Sequence, residues 1–207
     1  MSRQAGTAQP RDTPALTERG GARRESIREA ALRVVGDKGL AGLSMRAIAS
    51  EADLPLGALG YYFKTKDDLI LAAFELHTRR EADRMLSAVM GVSANADAAE
   101  VAEKLAMYVQ RGLTEERASL VAEYEFLIES TRNPELARIS RAWRQALQMQ
   151  ISHIAARLGS ADPETDAEII LSVVAGLEID HLSTPPDPAT RQSIRDALSR
   201  TISKLWL

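Results

Sequence analysis

The sequence predicts an all-α protein of about nine helices. From Arg23 onward almost every segment has apolar residues at helical spacing, and no stretch alternates steadily between apolar and polar residues. Asn133, Asp162 and Asp187 are each followed by proline, which combines a helix N-cap with a residue suited to the first helical position. The chain has 207 residues, 45% of them hydrophobic, so it can bury a sizeable core.

The individual elements are predicted from caps and breaks in this pattern. Gly36 and Gly39 are expected to end the first helix, Ser44 to cap the second, and Thr114 to cap the sixth. Gly159 is expected to stop the seventh. The expected helices cover roughly residues 23–35, 45–52, 56–63, 67–90, 98–111, 115–130, 134–158, 163–182 and 188–205.

The charge distribution divides the chain into two parts. Residues 1–66 contain 11 Lys and Arg against 7 Asp and Glu, although the whole chain has a net charge of −3. A basic module on an acidic body is typical of a protein that faces phosphates at one end. We expect a disordered arm over residues 1–21, a phosphate-facing, DNA-binding module over 22–66, and a separate acidic body over 67–207.

Several classes of protein are disfavoured by what the sequence lacks. Without cysteine there is no disulfide framework, thiolate nucleophile or cysteine-based zinc site. No run of 18 apolar residues and no apolar leader is present, so a cytoplasmic protein without a membrane partner is expected. The three histidines are far apart, and no phosphate-binding glycine loop occurs. We therefore expect no enzyme activity, cofactor or metal.

A helix-turn-helix is predicted between Ser44 and Lys66, where short helices are joined by a tight turn at Asp53. Asp tolerates the left-handed backbone that such a turn requires. The segment resembles the TetR family of transcriptional regulators over about residues 24–76. The resemblance rests on these residues: Leu43, Ser44, Ile48, Ala49, Ala52, Gly57, Leu59, Tyr61, Tyr62, Phe63, Lys66 and Leu69.

The resemblance implies a set of DNA contacts. Tyr61 is expected to pack inside the domain, while Tyr62 and Lys66 contact phosphates. Ser44 either caps its helix only or also contacts a phosphate, and Arg46 either reaches a guanine edge or phosphate or stays solvated. The predicted DNA-binding residues are Ser44, Arg46, Pro55, Leu56, Gly57, Ala58, Gly60, Tyr61, Tyr62 and Lys66.

Two positions depart from the family pattern. Pro55 replaces the usual Ser or Thr cap of the recognition helix, and Gly60 replaces a tyrosine that commonly contacts DNA. Gly60 indicates either close approach of the backbone to DNA or simple drift of the contact residues. The recognition helix offers few hydrogen-bonding side chains, so apolar contacts and DNA shape become more important. Arginines of the arm (Arg11, Arg19, Arg23 and Arg24) either enter a minor groove or belong to a plain tail.

The C-terminal body is expected, by the same resemblance, to bind a small molecule and to form a homodimer. Apolar stripes on the last two helices either form a four-helix dimer interface or pack wholly within one subunit. The interface that they predict consists of Ile170, Val173, Val174, Leu177, Ile194, Leu198 and Ile202. Polar or aromatic residues on apolar helices predict a ligand site of Tyr108, Arg111, Glu123, Phe126, Trp143 and His181.

The sequence therefore favours a homodimeric transcriptional regulator that binds a double-stranded, pseudo-palindromic operator. A repressor released by a small-molecule ligand is the form that the resemblance implies. The alternative is a helical interaction module or scaffold without ligand control, which leaves the segment from Ser44 to Lys66 unexplained.

Overall fold

Helices account for all the regular structure that a computed structural model shows in residues 18–90, 97–184 and 186–206. The all-α prediction is therefore confirmed. The nine helices within these ranges are α1 (Glu18–Gly42), α2 (Met45–Glu51), α3 (Leu56–Tyr62), α4 (Lys66–Met90), α5 (Ala98–Leu113), α6 (Arg117–Glu129), α7 (Pro134–Arg157), α8 (Pro163–His181) and α9 (Pro188–Leu205).

The predicted arm overlaps α1, because that helix already begins at Glu18. The rest of the arm, residues 1–17, lies outside the described residues and includes Arg11. The side chain of Arg19 also lies outside the described residues.

The three predicted Asn-Pro and Asp-Pro helix starts are confirmed. Asn133, Asp162 and Asp187 each accept a hydrogen bond from a backbone N–H in the first turn of α7, α8 and α9. The prediction for Thr114 is wrong. Its hydroxyl donates to the Gln110 carbonyl, and α6 begins only at Arg117. A hydroxyl that bonds back into the preceding helix is not available to cap the next one.

A glycine divides α1 into two segments. Gly39 has a φ of 68° and a ψ of 174°, so it breaks the helix as predicted. The prediction for Gly36 is wrong, because Gly36 lies inside the helix. There it faces α6 so closely that a Cβ atom would lie 2.3 Å from the Ala118 carbonyl oxygen. This glycine allows α1 and α6 to pack backbone to backbone.

Two apolar clusters hold the chain together. The N-terminal core joins apolar residues of α1–α4 to Ala122 and Phe126 of α6 and Leu136 and Ile139 of α7. The C-terminal core joins Met85 of α4 to apolar residues of α5–α9. Because α4, α6 and α7 contribute to both cores, movement of these helices in the body reaches the first three helices directly.

Candidate DNA-binding surface and ligand cavity

The α2–α3 unit is built by local capping and one left-handed turn residue. The Ser44 hydroxyl accepts from Ala47 N at 3.1 Å, which confirms Ser44 as the cap of α2. Asp53 has a φ of 52°, as the tight turn requires. At the start of α4, Thr65 and Asp68 each accept from the other's backbone N–H at 3.0 Å. Caps at the starts of α2 and α4 and the turn at Asp53 before α3 thus arrange three helix starts around one exposed surface.

The outer face of α3 is bare of side-chain hydrogen-bond donors, apart from Tyr61. Pro55 precedes the helix without a side-chain cap bond, and Leu56 is 49% exposed. Gly57 and Gly60 are exposed, and a Cβ atom at either would meet no atom within 4 Å. Ala58 is half-buried. Nothing in the fold of this chain therefore requires glycine at either position.

The two tyrosines occupy the opposite environments to those expected. Tyr61, predicted to pack, is 82% exposed, whereas Tyr62, predicted to face DNA, packs against the N-terminal core. The rings meet edge to face with centroids 5.2 Å apart. Phe63 leaves the helix in an extended conformation and is itself buried. Tyr62 and Phe63 together cover the core, which turns Tyr61 outward.

Three exposed basic residues border this surface. Arg46 on α2 and Lys64 before α4 have no hydrogen bond or ion pair within the described part of the chain. Lys66 is exposed as well, and its Nζ donates to the Leu40 carbonyl at 3.3 Å. Sequence reasoning missed Lys64, although a lysine two residues before the motif's Lys66 is visible in the sequence. Free cations flanking α3 are the groups that neutralise phosphates.

A second candidate site lies inside the body, where polar side chains are buried among helices α4–α8. Oε2 of Glu123 lies 3.0 Å from His77 Nε2, the Tyr108 hydroxyl donates to Glu81 at 2.9 Å, and the Tyr124 hydroxyl donates to Glu178 at 3.0 Å. All three carboxylates are at most 7% exposed. Buried carboxylates are rare unless they are paired or functional.

Burial dominates the electrostatics of this cluster. Desolvation, with repulsion from Glu81, raises the pKa of Glu123 to about 8. Desolvation and the charge of Glu123 raise the pKa of Glu178 to about 8 as well. Desolvation lowers the pKa of His77 to about 4. Burial therefore disfavours the charged forms of both groups in the contact between His77 and Glu123.

Four members of this cluster line a cavity of about 100 Å³, namely Tyr108, Glu123, Tyr124 and Glu178. Its lining residues are Met85, Tyr108, Glu123, Tyr124, Leu127, Ser140, Trp143, Arg144, Leu147, Leu171, Val174, Ala175 and Glu178. The structure thus brings together three of the predicted ligand residues, namely Tyr108, Glu123 and Trp143. Ligand sites for drug-sized molecules usually measure about 300–1,000 Å³, so such a ligand requires the walls to move apart.

The other three predicted ligand residues lie elsewhere. Phe126 is buried in the N-terminal core, stacked on Phe74 with centroids 5.0 Å apart. Arg111 is on the surface, where its Nε lies 2.9 Å from Glu116, and it borders an open cleft instead. His181 is half-buried at the end of α8, away from the cavity lining. Helical spacing does not show which face of a helix meets which neighbour.

Sequence reasoning missed the polar face of α4. His77, Glu81 and Arg84 follow one another at helical spacing, and Arg84 pairs with Glu81 and Glu116. The first two are buried. Charged residues that interrupt the apolar stripe of a long helix were the available signal.

The predicted dimer interface contains both buried and half-buried residues. Five of its residues are at most 5% exposed because they form the chain's own C-terminal core, and they cannot provide a contact surface: Ile170, Val174, Ile194, Leu198 and Ile202. Val173 and Leu177 are half-buried. The outward face of α8 instead exposes Ile169, 39% exposed, and Ile179, 50% exposed.

Comparison with known proteins decides the family. The family model described as "Tetracyclin repressor-like, C-terminal domain" matches residues 96–204, and the model for "Bacterial regulatory proteins, tetR family" matches residues 27–73. The chain belongs to the TetR family. The first match covers the body and the second covers the helix-turn-helix, so this TetR-family chain is a transcriptional regulator with the DNA-binding motif of its family.

Individual TetR-family relatives match different lengths of the chain. PksA of Bacillus subtilis is 46% identical over 63 residues, which are 30% of this chain and 31% of PksA. The nicotine-responsive repressor HdnoR of Paenarthrobacter nicotinovorans is 25% identical over 80% of this chain and 87% of HdnoR. The solved structure of the multidrug-binding protein EbrR with proflavin is 34% identical, with a TM-score of 0.61, over 86% of this chain and 99% of EbrR.

None of the helices in the described ranges combines the length and apolar character needed to cross a bilayer. Within those same ranges, no group of three or more His, Asp or Glu side chains is placed to hold a metal ion.

Proposed function

We propose that this TetR-family regulator is a cytoplasmic, homodimeric repressor that leaves a pseudo-palindromic DNA operator when a small molecule occupies the cavity. Two copies would present their α3 helices to successive major grooves, about 34–36 Å apart. HdnoR, described as a nicotine-responsive transcriptional repressor, and EbrR, described as a multidrug-binding protein, support control by a small molecule.

The observation that carries the proposal is the double role of α6. On one side its Glu123 and Tyr124 line the cavity. On the other side the Glu125 carboxylate accepts from Leu40 N at 3.1 Å, at the break in α1. A ligand that displaces α6 therefore also displaces α1, against which α2 packs.

The size of the cavity gives this coupling a direction. A cavity of about 100 Å³ is too small for a drug-sized ligand, so ligand binding would favour a conformation with separated walls. If the expanded conformation sets the two α3 helices at another spacing, the ligand lowers operator affinity. The shift is limited to the difference in ligand affinity between the two conformations.

The DNA contacts of the proposal follow from exposure. Phosphates and base edges would be contacted by exposed side chains, namely Tyr61, Arg46, Lys64 and Lys66. Ser44 is exposed at the N-terminus of α2. The apolar outer face of α3, including Leu56, is suited to thymine methyl groups. Base discrimination would then rest on Arg46, methyl contacts and DNA shape.

Selection from random DNA duplexes with the purified full chain tests the proposal. We expect an inverted repeat bound by two protomers, with affinity that falls steeply as salt increases because phosphate contacts release counterions. Recovery of no DNA at low salt would contradict DNA binding. A single unrepeated half-site bound by one protomer would contradict the dimer.

A further inference from the structure

The cavity has an unusual excess of buried acid. Glu123 and Glu178 line it directly, and in each carboxylate only Oε2 has a hydrogen-bond partner within the described residues. Glu81 lies close by, bonded to Tyr108 and Arg84. One oxygen on each of two facing helices is thus left for a ligand.

The basic groups around the cavity do not balance these acids. Arg84 of α4 is shared between Glu81 and Glu116, and its guanidinium lies over the Tyr108 ring, 5.2 Å from the centroid. Arg144 of α7 lines the cavity with an exposed side chain. His77 is neutral near pH 7, because burial lowers its pKa to about 4. No cation within the described residues therefore contacts Glu123 or Glu178 directly.

The remaining walls are aromatic. Tyr108, Tyr124 and Trp143 line the cavity beside the two glutamates. The indole N–H of Trp143 is buried and has no hydrogen-bond partner among the described residues. Aromatic faces beside carboxylates form the environment in which organic cations are bound.

We propose that the ligand of this cavity is a monovalent organic cation with an apolar body, held by Glu123 and Glu178 against Trp143 and the two tyrosines. The proposal rests on the proposed function only in assigning the ligand to this cavity. An apolar body fits the walls formed by Leu127, Leu147 and Val174. The positive charge matches the two carboxylates, which have no cationic partner of their own.

Binding of such a cation should release a proton from the glutamate pair. Burial raises the pKa of both glutamates to about 8, helped by repulsion from Glu81 at Glu123 and from Glu123 at Glu178. The carboxyl groups are therefore mostly protonated near pH 7. The cation stabilises the ionised form, and the proton passes to solvent. Tyr108 and Tyr124 stay neutral, because burial raises the pKa of each further above its ordinary value.

Phenyltrimethylammonium and tert-butylbenzene provide a matched pair of probes, because they have the same shape and differ in one permanent charge. Calorimetry with the full chain in two buffers of different ionisation heat measures affinity and the number of released protons. At pH 8 we expect the cation to bind at least about tenfold more tightly than its neutral isostere. Between pH 6 and 7.5 the affinity for the cation should rise up to about tenfold per pH unit, with about one proton released per cation.

Variants locate the effect. Glu178→Gln keeps an acceptor for Tyr124 but removes the charge, and it should lower cation affinity at least about tenfold at pH 8 while leaving tert-butylbenzene binding unchanged. Glu115→Gln changes an exposed carboxylate outside this cavity and serves as the control. Thermal melting verifies that both variants are folded. If Glu178→Gln fails to fold, proton release by the unmodified chain still decides the question.

Equal affinity for the two probes, or cation binding without proton release, would overturn the proposal. A parallel titration of the operator complex separates this result from the regulatory role. If the chain binds an inverted repeat yet does not prefer the cation, the cation proposal fails and the regulator stands. If the cation binds with proton release but no DNA is bound, the opposite holds.

Discussion

Tyr61 and Tyr62 are adjacent in the sequence but differ in what surrounds them. Tyr61 extends from α3 into solvent, and Tyr62 closes the edge of the N-terminal core. The resemblance to the TetR family located the pair correctly but gave each tyrosine the other's environment. Two successive helical positions point about 100° apart, and the packing of Phe63 decides which of them faces inward.

Substitution of the two tyrosines should therefore have separate effects. Tyr61→Ala should weaken operator binding about tenfold or more and leave thermal stability unchanged, because the side chain packs on little of its own chain. Tyr62→Ala should lower the free energy of unfolding by about 1–3 kcal/mol, because it removes apolar contacts at the core edge. Fluorescence anisotropy with labelled operator and thermal melting measure the two effects. Loss of stability in Tyr61→Ala would show that this tyrosine packs after all.

At the scale of single residues, prediction succeeded where the determinant is local. Ser44 and Asp53 behave as predicted because a cap and a turn depend on residues within four positions. Arg111 and Phe126 lie away from the cavity lining, since the neighbouring helix determines whether their side chains reach it. The charge pattern along α4 does not by itself identify Glu81 as a buried carboxylate, because that depends on which helices pack against α4.

Among the helices, α6 connects the cavity to the DNA-binding unit. Its contact with α1 depends on Gly36, where a Cβ atom would lie 2.3 Å from the Ala118 carbonyl oxygen and 2.9 Å from Ala118 Cβ. Backbone atoms of a helix cannot give way as the end of a flexible side chain can. Close packing of α1 on α6 is therefore possible only because Gly36 has no Cβ atom.

Gly36→Ala should accordingly force α1 and α6 apart. We expect the free energy of unfolding to fall by about 1–3 kcal/mol, as for other overpacked interfaces, and operator affinity to change with it. Gly60→Ala is the matched control, because a Cβ atom there meets nothing and helix propensity gains about 1 kcal/mol. Denaturant unfolding followed by circular dichroism compares the two. An unchanged or higher stability of Gly36→Ala would exclude close backbone packing at this site.

Helix boundaries, like single residues, were predictable only where their determinants lie within a few positions in the sequence. The starts of α7, α8 and α9 were predictable because Asn or Asp before proline fixes both the cap and the first φ angle. The start of α6 was not, because Thr114 has a competing acceptor one turn earlier in α5. Local rules thus identified every helix, while competition between partners moved the start of α6, and both ends of α1 also differ from the prediction.

For the whole molecule, the sequence left open what the apolar stripes of α8 and α9 contact. An apolar stripe indicates a buried face but does not distinguish the chain's own core from a partner subunit. Ile170, Ile194 and Leu198 fill the chain's own core. If the chain dimerises through α8, it must use the outward face that carries Ile169 and Ile179.

A charge on that face should separate the protomers. Ile169→Glu would bury a carboxylate against the partner, which we expect to weaken dimerisation by about 2 kcal/mol or more. Ile128→Glu introduces the same charge at an exposed position on α6 and should leave the dimer intact. Sedimentation velocity at several concentrations measures both. A dimer that persists in Ile169→Glu and dissociates in Ile128→Glu would place the interface on α6 instead.

Stability of the whole chain should also depend on pH through the buried glutamates. A carboxyl whose pKa is raised from 4.5 to about 8 binds its proton more tightly in the folded state. Its contribution is complete below pH 4.5 and is lost as pH rises towards 8. His77 acts in the opposite sense, since burial lowers its pKa from 6.5 to about 4 in the folded state. As pH falls from 6.5 to 4 the unfolded chain binds this proton more readily, so the folded state loses stability only in that range.

Between pH 6.5 and 8 the glutamates therefore act without an opposing change at His77. We expect the free energy of unfolding to fall across this range by on the order of 2 kcal/mol for Glu123 and Glu178 taken together, because the two carboxyls titrate as a pair. Glu178→Gln should remove about half of this decrease and should be more stable than the unmodified chain at pH 8, because no charge is then buried at that position. Glu115→Gln, at an exposed carboxylate, should retain the full decrease. Urea unfolding at pH 6.5, 7.25 and 8 measures how the free energy of unfolding of each protein changes with pH. An equal decrease in all three proteins would mean that Glu178 is already ionised in the folded state at pH 6.5.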